Sequence, residues 1–122
     1  MLAGIDHVQL AAPPGCENEA RRFFGELLGL EEVEKPEPLR DRGGVWFEVG
    51  AQQLHVGVDP EFAPARKAHP AFGVSGYGAV VARLRGAGIA VADDDRIPGV
   101  RRCYVDDPWE NRIELVAVEN AG

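Results

Sequence analysis

The sequence predicts an α+β fold built from two βαβββ modules, and three observations carry that prediction. Short segments alternate apolar and polar residues with a period of two, as half-buried strands do. Two longer segments instead space their apolar residues as amphipathic helices and stop at glycines. The order strand, helix, three strands then occurs twice along the chain. At 122 residues and 45% hydrophobic content there is room for one domain with a real core. We read residues 1–122 as that single domain, with modules over about 4–60 and 67–119. The 15 glycines and 9 prolines fit frequent turns and short elements better than long helices.

In the first module, residues 5–10 alternate, with Ile5, His7 and Gln9 on one face and Val8 and Leu10 on the other. "AAPPGC" breaks that strand. "ENEARRFFGELLGL" places Ala20, Phe23, Phe24, Leu27 and Leu28 at helical spacing, and Gly29 is placed to end the helix. Strands near 31–34, 44–49 and 52–58 follow, with "DRGG" and "GA" as the turns between the later ones. The second module opens with a strand near 69–75. "SGYGAVVARLRGAG" then gives a helix that starts from a Ser75 cap and ends at Gly86 or Gly88. Strands near 89–92, 100–105 and 112–118 complete it, with "DDPWEN" as the last turn.

The registers support a duplication. His7 and His69 stand 62 positions apart in the opening strands, and His55 and Glu114 stand 59 apart in the closing ones. Aromatic and valine residues around Phe47 to Val49, and at Tyr104-Val105, precede the final turn of each module. Side chains on a strand alternate sides. Leu54, Val56 and Val58 therefore share one face, with Gln53, His55 and Gly57 on the other. Phe72 and Val74 oppose His69, Ala71 and Gly73, while Ile113, Leu115 and Ala117 oppose Arg112, Glu114 and Val116. The bulkier apolar set packs on a helix each time, so His7, His55, His69 and Glu114 fall on the face the helices leave uncovered. A lone histidine or glutamate on a strand is ordinarily a solvated or hydrogen-bonded residue. Four at matching places in a repeat suit a divalent transition metal such as zinc, nickel, manganese or iron, because imidazole nitrogen and carboxylate oxygen are its donors.

Composition narrows the partners. With 13 basic and 20 acidic residues the net charge is −7, which repels a nucleic-acid backbone. Local arginines such as Arg101, Arg102 and Arg112 can still receive a small anion. Cys16 and Cys103 make no metal or redox spacing. The opening "MLAGIDHVQL" has no basic region followed by an apolar run, and no segment has the length of a membrane span. A cytoplasmic protein with reduced thiols is the expectation, binding neither nucleic acid nor membrane.

"IDHVQLAA", "RRFFGELLGL", "HPAFGV" and "YVDDPWENRIELV" together resemble the vicinal oxygen chelate superfamily, the glyoxalase, bleomycin-resistance and extradiol-dioxygenase group. The last stretch resembles the family's aspartate-proline-aromatic-glycine-asparagine-arginine-isoleucine-glutamate signature, with Glu110 in place of the glycine. The resemblance implies a curved, cleft-forming mixed sheet with helices on its outer face, and a homodimer. Metal-dependent relatives draw ligands from the first and last strands of each module, which here implies His7, His55, His69 and Glu114. Glyoxalase I-like enzymes carry a glutamate where His55 stands, so His55 is either a fourth ligand or a free general base.

The leading expectation is a lyase or isomerase whose metal acts as Lewis acid on a small oxygen-chelating substrate. His55 and Glu114 are then the proton-handling residues, and Arg101, Arg102 and Tyr104 candidates for substrate contact. Neighbouring strand residues point opposite ways, so at least one of the two arginines faces elsewhere. An iron(II) extradiol-type dioxygenase also uses two histidines and a carboxylate, yet needs further histidines and tyrosines that this chain does not offer. A metal-free, bleomycin-resistance-like binder of a drug or metabolite is the third reading, with Trp46, Phe47, Phe72 and Trp109 as candidate lining.

Overall fold

Each half of the chain closes its first strand against its last. The structure, a computed structural model, describes residues 1–118, and the expected end of the second module at residue 119 lies outside them. The chain divides into two compact units, Met1–Pro64 and a second beginning at Ala65. The first contains β1 (His7–Ala12), α1 (Glu17–Ala20), β2 (Glu31–Val33), β3 (Val45–Val49) and β4 (Gln52–Val58). The second contains β5 (Ala71–Val74), α2 (Tyr77–Gly86), β6 (Ala92–Asp93), β7 (Arg102–Asp106) and β8 (Arg112–Ala117). Each unit builds its own four-stranded mixed sheet, in the orders β1-β4-β3-β2 and β5-β8-β7-β6. The β1–β4 and β5–β8 pairs are parallel and the others antiparallel. This is the expected α+β architecture of two βαβββ modules.

The repeat extends to the hydrogen-bond ladder. Gln9 lies opposite His55 as Ala71 lies opposite Glu114, and Trp46 pairs with His55 as Tyr104 pairs with Glu114. Because register is fixed to the residue, each of these side chains takes the same face of its sheet as its repeat partner. The opposite face is the core. Phe23, Phe24, Val45, Phe47, Leu54 and Val56 are buried in the first unit; Val81, Leu84, Cys103, Val105, Ile113 and Leu115 in the second. Each such large side chain contributes about 1.5–3 kcal/mol by leaving water.

Local structure departs from expectation at several places. Beyond α1 the first helix widens into a π-helical segment, Arg21–Leu27, with the Leu28 N–H donating to the Phe23 carbonyl five residues back at 3.0 Å. The broader turn buries the consecutive Phe23 and Phe24 together, their rings in edge contact at 4.9 Å. A 3₁₀ helix over Glu37–Arg42, entered from Pro36, fills the stretch before β3. β1 starts at His7, leaving Ile5 outside the strand and exposed. β5 starts at Ala71, so His69 and Pro70 form a lead-in; Pro70 has no N–H to give, but its carbonyl accepts the Glu114 N–H at 3.0 Å. The α2 cap is Gly76 at φ +66°, with no side-chain cap bond, in place of Ser75. A left-handed residue there favours glycine and turns the chain directly out of β5.

Candidate functional site

The four candidate donors come as two pairs, one in each unit. Among the described residues no three His, Cys, Asp or Glu side chains gather into one metal-holding group. In the first unit, parallel pairing of β1 with β4 sets His7 diagonally beside His55 on one face. Their rings stack with centroids 4.2 Å apart and planes inclined by 21°. The far side of His55 is covered by Trp46 at 3.6 Å and 3°. Nδ1 of His7 meets the Asp6 carboxylate at 2.8 Å, and Nε2 of His55 meets Oε1 of Gln53 at 2.9 Å. His55 is 5% exposed. Burial first, and then the neighbouring His7, holds its imidazole below the ordinary value of 6.5.

In the second unit, Nδ1 of His69 lies 2.9 Å from the Lys67 carbonyl and Nε2 lies 3.1 Å from Oε1 of Glu114. Oε2 of Glu114 accepts from Arg102 at 3.2 Å. The same guanidinium reaches Oδ2 of Asp94 at 3.1 Å and the Tyr104 hydroxyl at 3.3 Å. Burial works to raise the Glu114 carboxyl, but the bonds and charges of His69 and Arg102 outweigh it and hold the group below the usual carboxylate range. Tyr104 meets the His69 ring edge-on at 5.5 Å, and Arg112 lies 5.4 Å above the Tyr104 ring. A cavity of about 470 Å³ opens beside Tyr104, lined also by Asp94, Asp95, Arg96 and Arg112. Arg101 takes the opposite side of its segment and lies 4.8 Å over the Tyr77 ring. Arg102 and Tyr104 are thus gathered at the His69–Glu114 pair, and Arg101 is not.

Gln53 and Asp94 were not singled out from the sequence, and Trp46 was read only as a lining residue. A signal for Trp46 existed. The two-residue Gly50-Ala51 turn fixes the β3–β4 register, which sets Trp46 opposite His55.

No protein-family model matches the sequence, and no curated protein does; the likeness lies in solved structures. A glyoxalase family protein from Bacillus anthracis is 51% identical, with 98% of each chain covered and a TM-score of 0.93. This chain belongs to the glyoxalase family, within the vicinal oxygen chelate superfamily. A glyoxalase/dioxygenase from Nostoc punctiforme shares the fold at 23% identity, covering 98% of this chain and 97% of that one, with a TM-score of 0.79. So does a single-residue variant of the fosfomycin resistance protein FosX from Listeria monocytogenes, at 19% identity, 98% and 95% coverage and a TM-score of 0.78. That protein was solved in complex with manganese(II) and 1S,2S-dihydroxypropylphosphonic acid. In this glyoxalase-family chain the signature turn before β8 has Glu110 at φ +69°, a backbone conformation that suits the glycine it replaces. The departure stays in the turn. The Asp107 and Asn111 side chains bond each other beneath it, and Glu114 keeps its place in β8.

Proposed function

We propose that the protein is a glyoxalase-like metalloenzyme of lyase or isomerase type, acting on a small substrate that offers two adjacent oxygens. Its ligands for a divalent transition ion are drawn from His7, His55, His69 and Glu114, with His55 either the fourth ligand or the general base beside the other three. The observation that carries this reading is the His69–Glu114 pair. A backbone carbonyl can only accept, so the His69 contact with Lys67 puts the ring proton on Nδ1. Its Nε2 then lies 3.1 Å from a carboxylate oxygen of Glu114. A cation shared between these two atoms, a proton or a metal ion, suits so close an approach. Donors held at about 2.0–2.2 Å from one zinc ion are themselves separated by roughly this distance. His7 is oriented alike, since its Nδ1 bond to Asp6 leaves Nε2 open.

When bound, the ion supplies Lewis acidity to the chelated oxygens. The chain's own residues do the rest. His55, held neutral near pH 7, accepts a proton; Glu114, anchored through its second oxygen by Arg102, is the other proton-handling group. Arg102 and Tyr104 offer donors to substrate oxygens. The manganese complex of the Listeria protein supports a divalent ion here, whether manganese, zinc, nickel or iron. The reading includes a single domain over residues 1–122, a homodimer as is typical of the superfamily, and a cytoplasmic setting. No helix among the described residues is long and apolar enough to cross a membrane.

The test is metal content of untagged protein by mass spectrometry, as purified and after incubation with zinc, nickel, manganese or iron(II). The expected result is near-stoichiometric metal that is lost in His69→Ala and Glu114→Ala. Full metal at wild-type affinity in both variants overturns the ligand set. A protein that takes up none of the four ions is instead a binding protein.

A further inference from the structure

The glutamate in the closing strand of the second module does not hold its own position. We infer that Asp94 is a positioning residue for Glu114, acting through Arg102, so that one carboxylate oxygen is kept facing His69. All of these groups lie in the second unit; what the held carboxylate is for rests on the functional reading above.

A glutamate side chain has three rotatable bonds, and its partners must offset the entropy of ordering them. Glu114 projects from β8 opposite Tyr104 of β7, with Arg102 two residues further along β7 on the same face. Oε2 accepts from Nη1 of Arg102 at 3.2 Å, which leaves Oε1 beside Nε2 of His69 at 3.1 Å. Where the guanidinium lies therefore sets which oxygen faces which partner. An arginine side chain is long and flexible, so it orients a carboxylate only when its own head is fixed.

Asp94 fixes that head. Its Oδ2 lies 3.1 Å from Nη2 of Arg102, the terminal nitrogen that Glu114 does not use. Carboxylates on both terminal nitrogens of a planar guanidinium set its plane as well as its place. The Arg102 Nε is buried and has no hydrogen-bond partner among the described residues, and the Tyr104 hydroxyl at 3.3 Å carries no charge. The Arg102 and Asp94 side chains are 11% and 7% exposed, so solvent screens their pairing little.

The backbone in turn holds Asp94. The residue follows β6 directly, its N–H donates to the Arg102 carbonyl at 3.1 Å, and its Oδ1 accepts the Arg96 N–H at 3.0 Å. The exposed Arg96 side chain bonds the same carboxylate. This relay runs along the side of the sheet away from the core, where Asp94 and Tyr104 line the cavity of about 470 Å³.

The experiment is NMR of the full chain, freed of metal by a chelator and carrying carbon-13 glutamate, with Glu114 assigned through Glu114→Gln. Three-bond couplings report whether the side chain holds one rotamer. Wild type should show a single rotamer, and an averaged side chain overturns the inference. Asp94→Ala should average the couplings whatever it does to Tm. Asp94→Glu, which keeps the charge and both oxygens, should restore the single rotamer. Arg96→Ala removes the outer ion pair of Asp94 without touching Arg102 and should read as wild type. A single Glu114 rotamer in folded Asp94→Ala refutes the positioning role, and so does averaging in Asp94→Glu or Arg96→Ala equal to that in Asp94→Ala. If Asp94→Ala does not fold, Arg102→Lys takes its place, because an ammonium cannot bridge two carboxylates at one set orientation. Averaging is then expected and a single rotamer refutes the relay. A chain that takes up no metal overturns the functional reading above and leaves each of these outcomes as it stands.

Discussion

Truncating Asp107 to alanine removes the acceptor at the centre of the turn that leads into β8. One carboxylate oxygen accepts the N–H groups of Trp109 at 3.0 Å and Asn111 at 2.8 Å, and the other accepts the Asn111 side-chain amide at 2.8 Å. Asp107 and Asn111 are 5% and 7% exposed, so water cannot freely replace what is lost. Two donors of Asn111 left without this acceptor cost about 1–3 kcal/mol each. The Trp109 N–H lies on a less buried residue and water can recover it. Against this stands the expense of keeping a carboxylate out of water, which pushes the Asp107 carboxyl above its ordinary range. The net expectation is a loss of about 3 kcal/mol, a large share of the roughly 5–15 kcal/mol that holds a domain folded. Urea and thermal unfolding followed by circular dichroism measure it, with a fall in Tm of about 10 °C. Asp107→Asn keeps one acceptor oxygen and should lose only about half as much. A loss below about 1 kcal/mol in Asp107→Ala, or equal losses in the two variants, refutes the reasoning.

Glu110→Gly should stabilise the protein by about 0.5–1 kcal/mol. A left-handed residue costs about 1–2 kcal/mol, part of which is returned to glycine's chain entropy, and the unfolding midpoint reads the difference. Gly44→Ala should destabilise by more than about 3 kcal/mol, because Gly44 has φ +85° and an added Cβ would stand 2.1 Å from the Val56 carbonyl oxygen; a wild-type melting curve would contradict this. Glu17 accepts the Gly44 N–H at 2.7 Å, the foremost cause of a carboxyl lowered from its ordinary 4.5. A depressed folded-state value means its stabilisation is present above about pH 4.5, its ordinary value, and is lost as pH falls from there through the lower folded-state value. The stability difference between wild type and Glu17→Gln should therefore shrink between pH 5 and strong acid, as measured by unfolding at several pH values.

The strands were legible because period-two patterning and two-residue turns are local properties. β4 falls on its expected residues, and the 62- and 59-residue offsets reappear as matching ladder positions. The π-helical widening was hidden, since Ala20, Phe23, Phe24, Leu27 and Leu28 satisfy an ordinary helical stripe equally well. The 3₁₀ helix at Glu37–Arg42 presents no apolar period at all. Ser75 and Gly76 are both good caps, and a backbone turn that only glycine takes easily decided between them. At the candidate site, the faces of His55 and Glu114 follow from alternation. What surrounds them does not. The Arg102 bridge between Asp94 and Glu114 depends on how long side chains fold over a sheet, which no spacing encodes.

Parallel pairing of first and last strands has a consequence for how long a captured ion would stay. His7 stands opposite Gln53, and Ala71 opposite Glu114, so each of these pairings closes a loop spanning nearly its whole module. Such contacts have high sequence separation, and their closing entropy is met only when the intervening hairpins are already in place. β1 and β5 are also the edge strands of their sheets. Ion release would therefore follow the slow peeling of an edge strand, and the rate of metal exchange would track amide-hydrogen exchange in β1 and β5 more closely than motion of any surface loop.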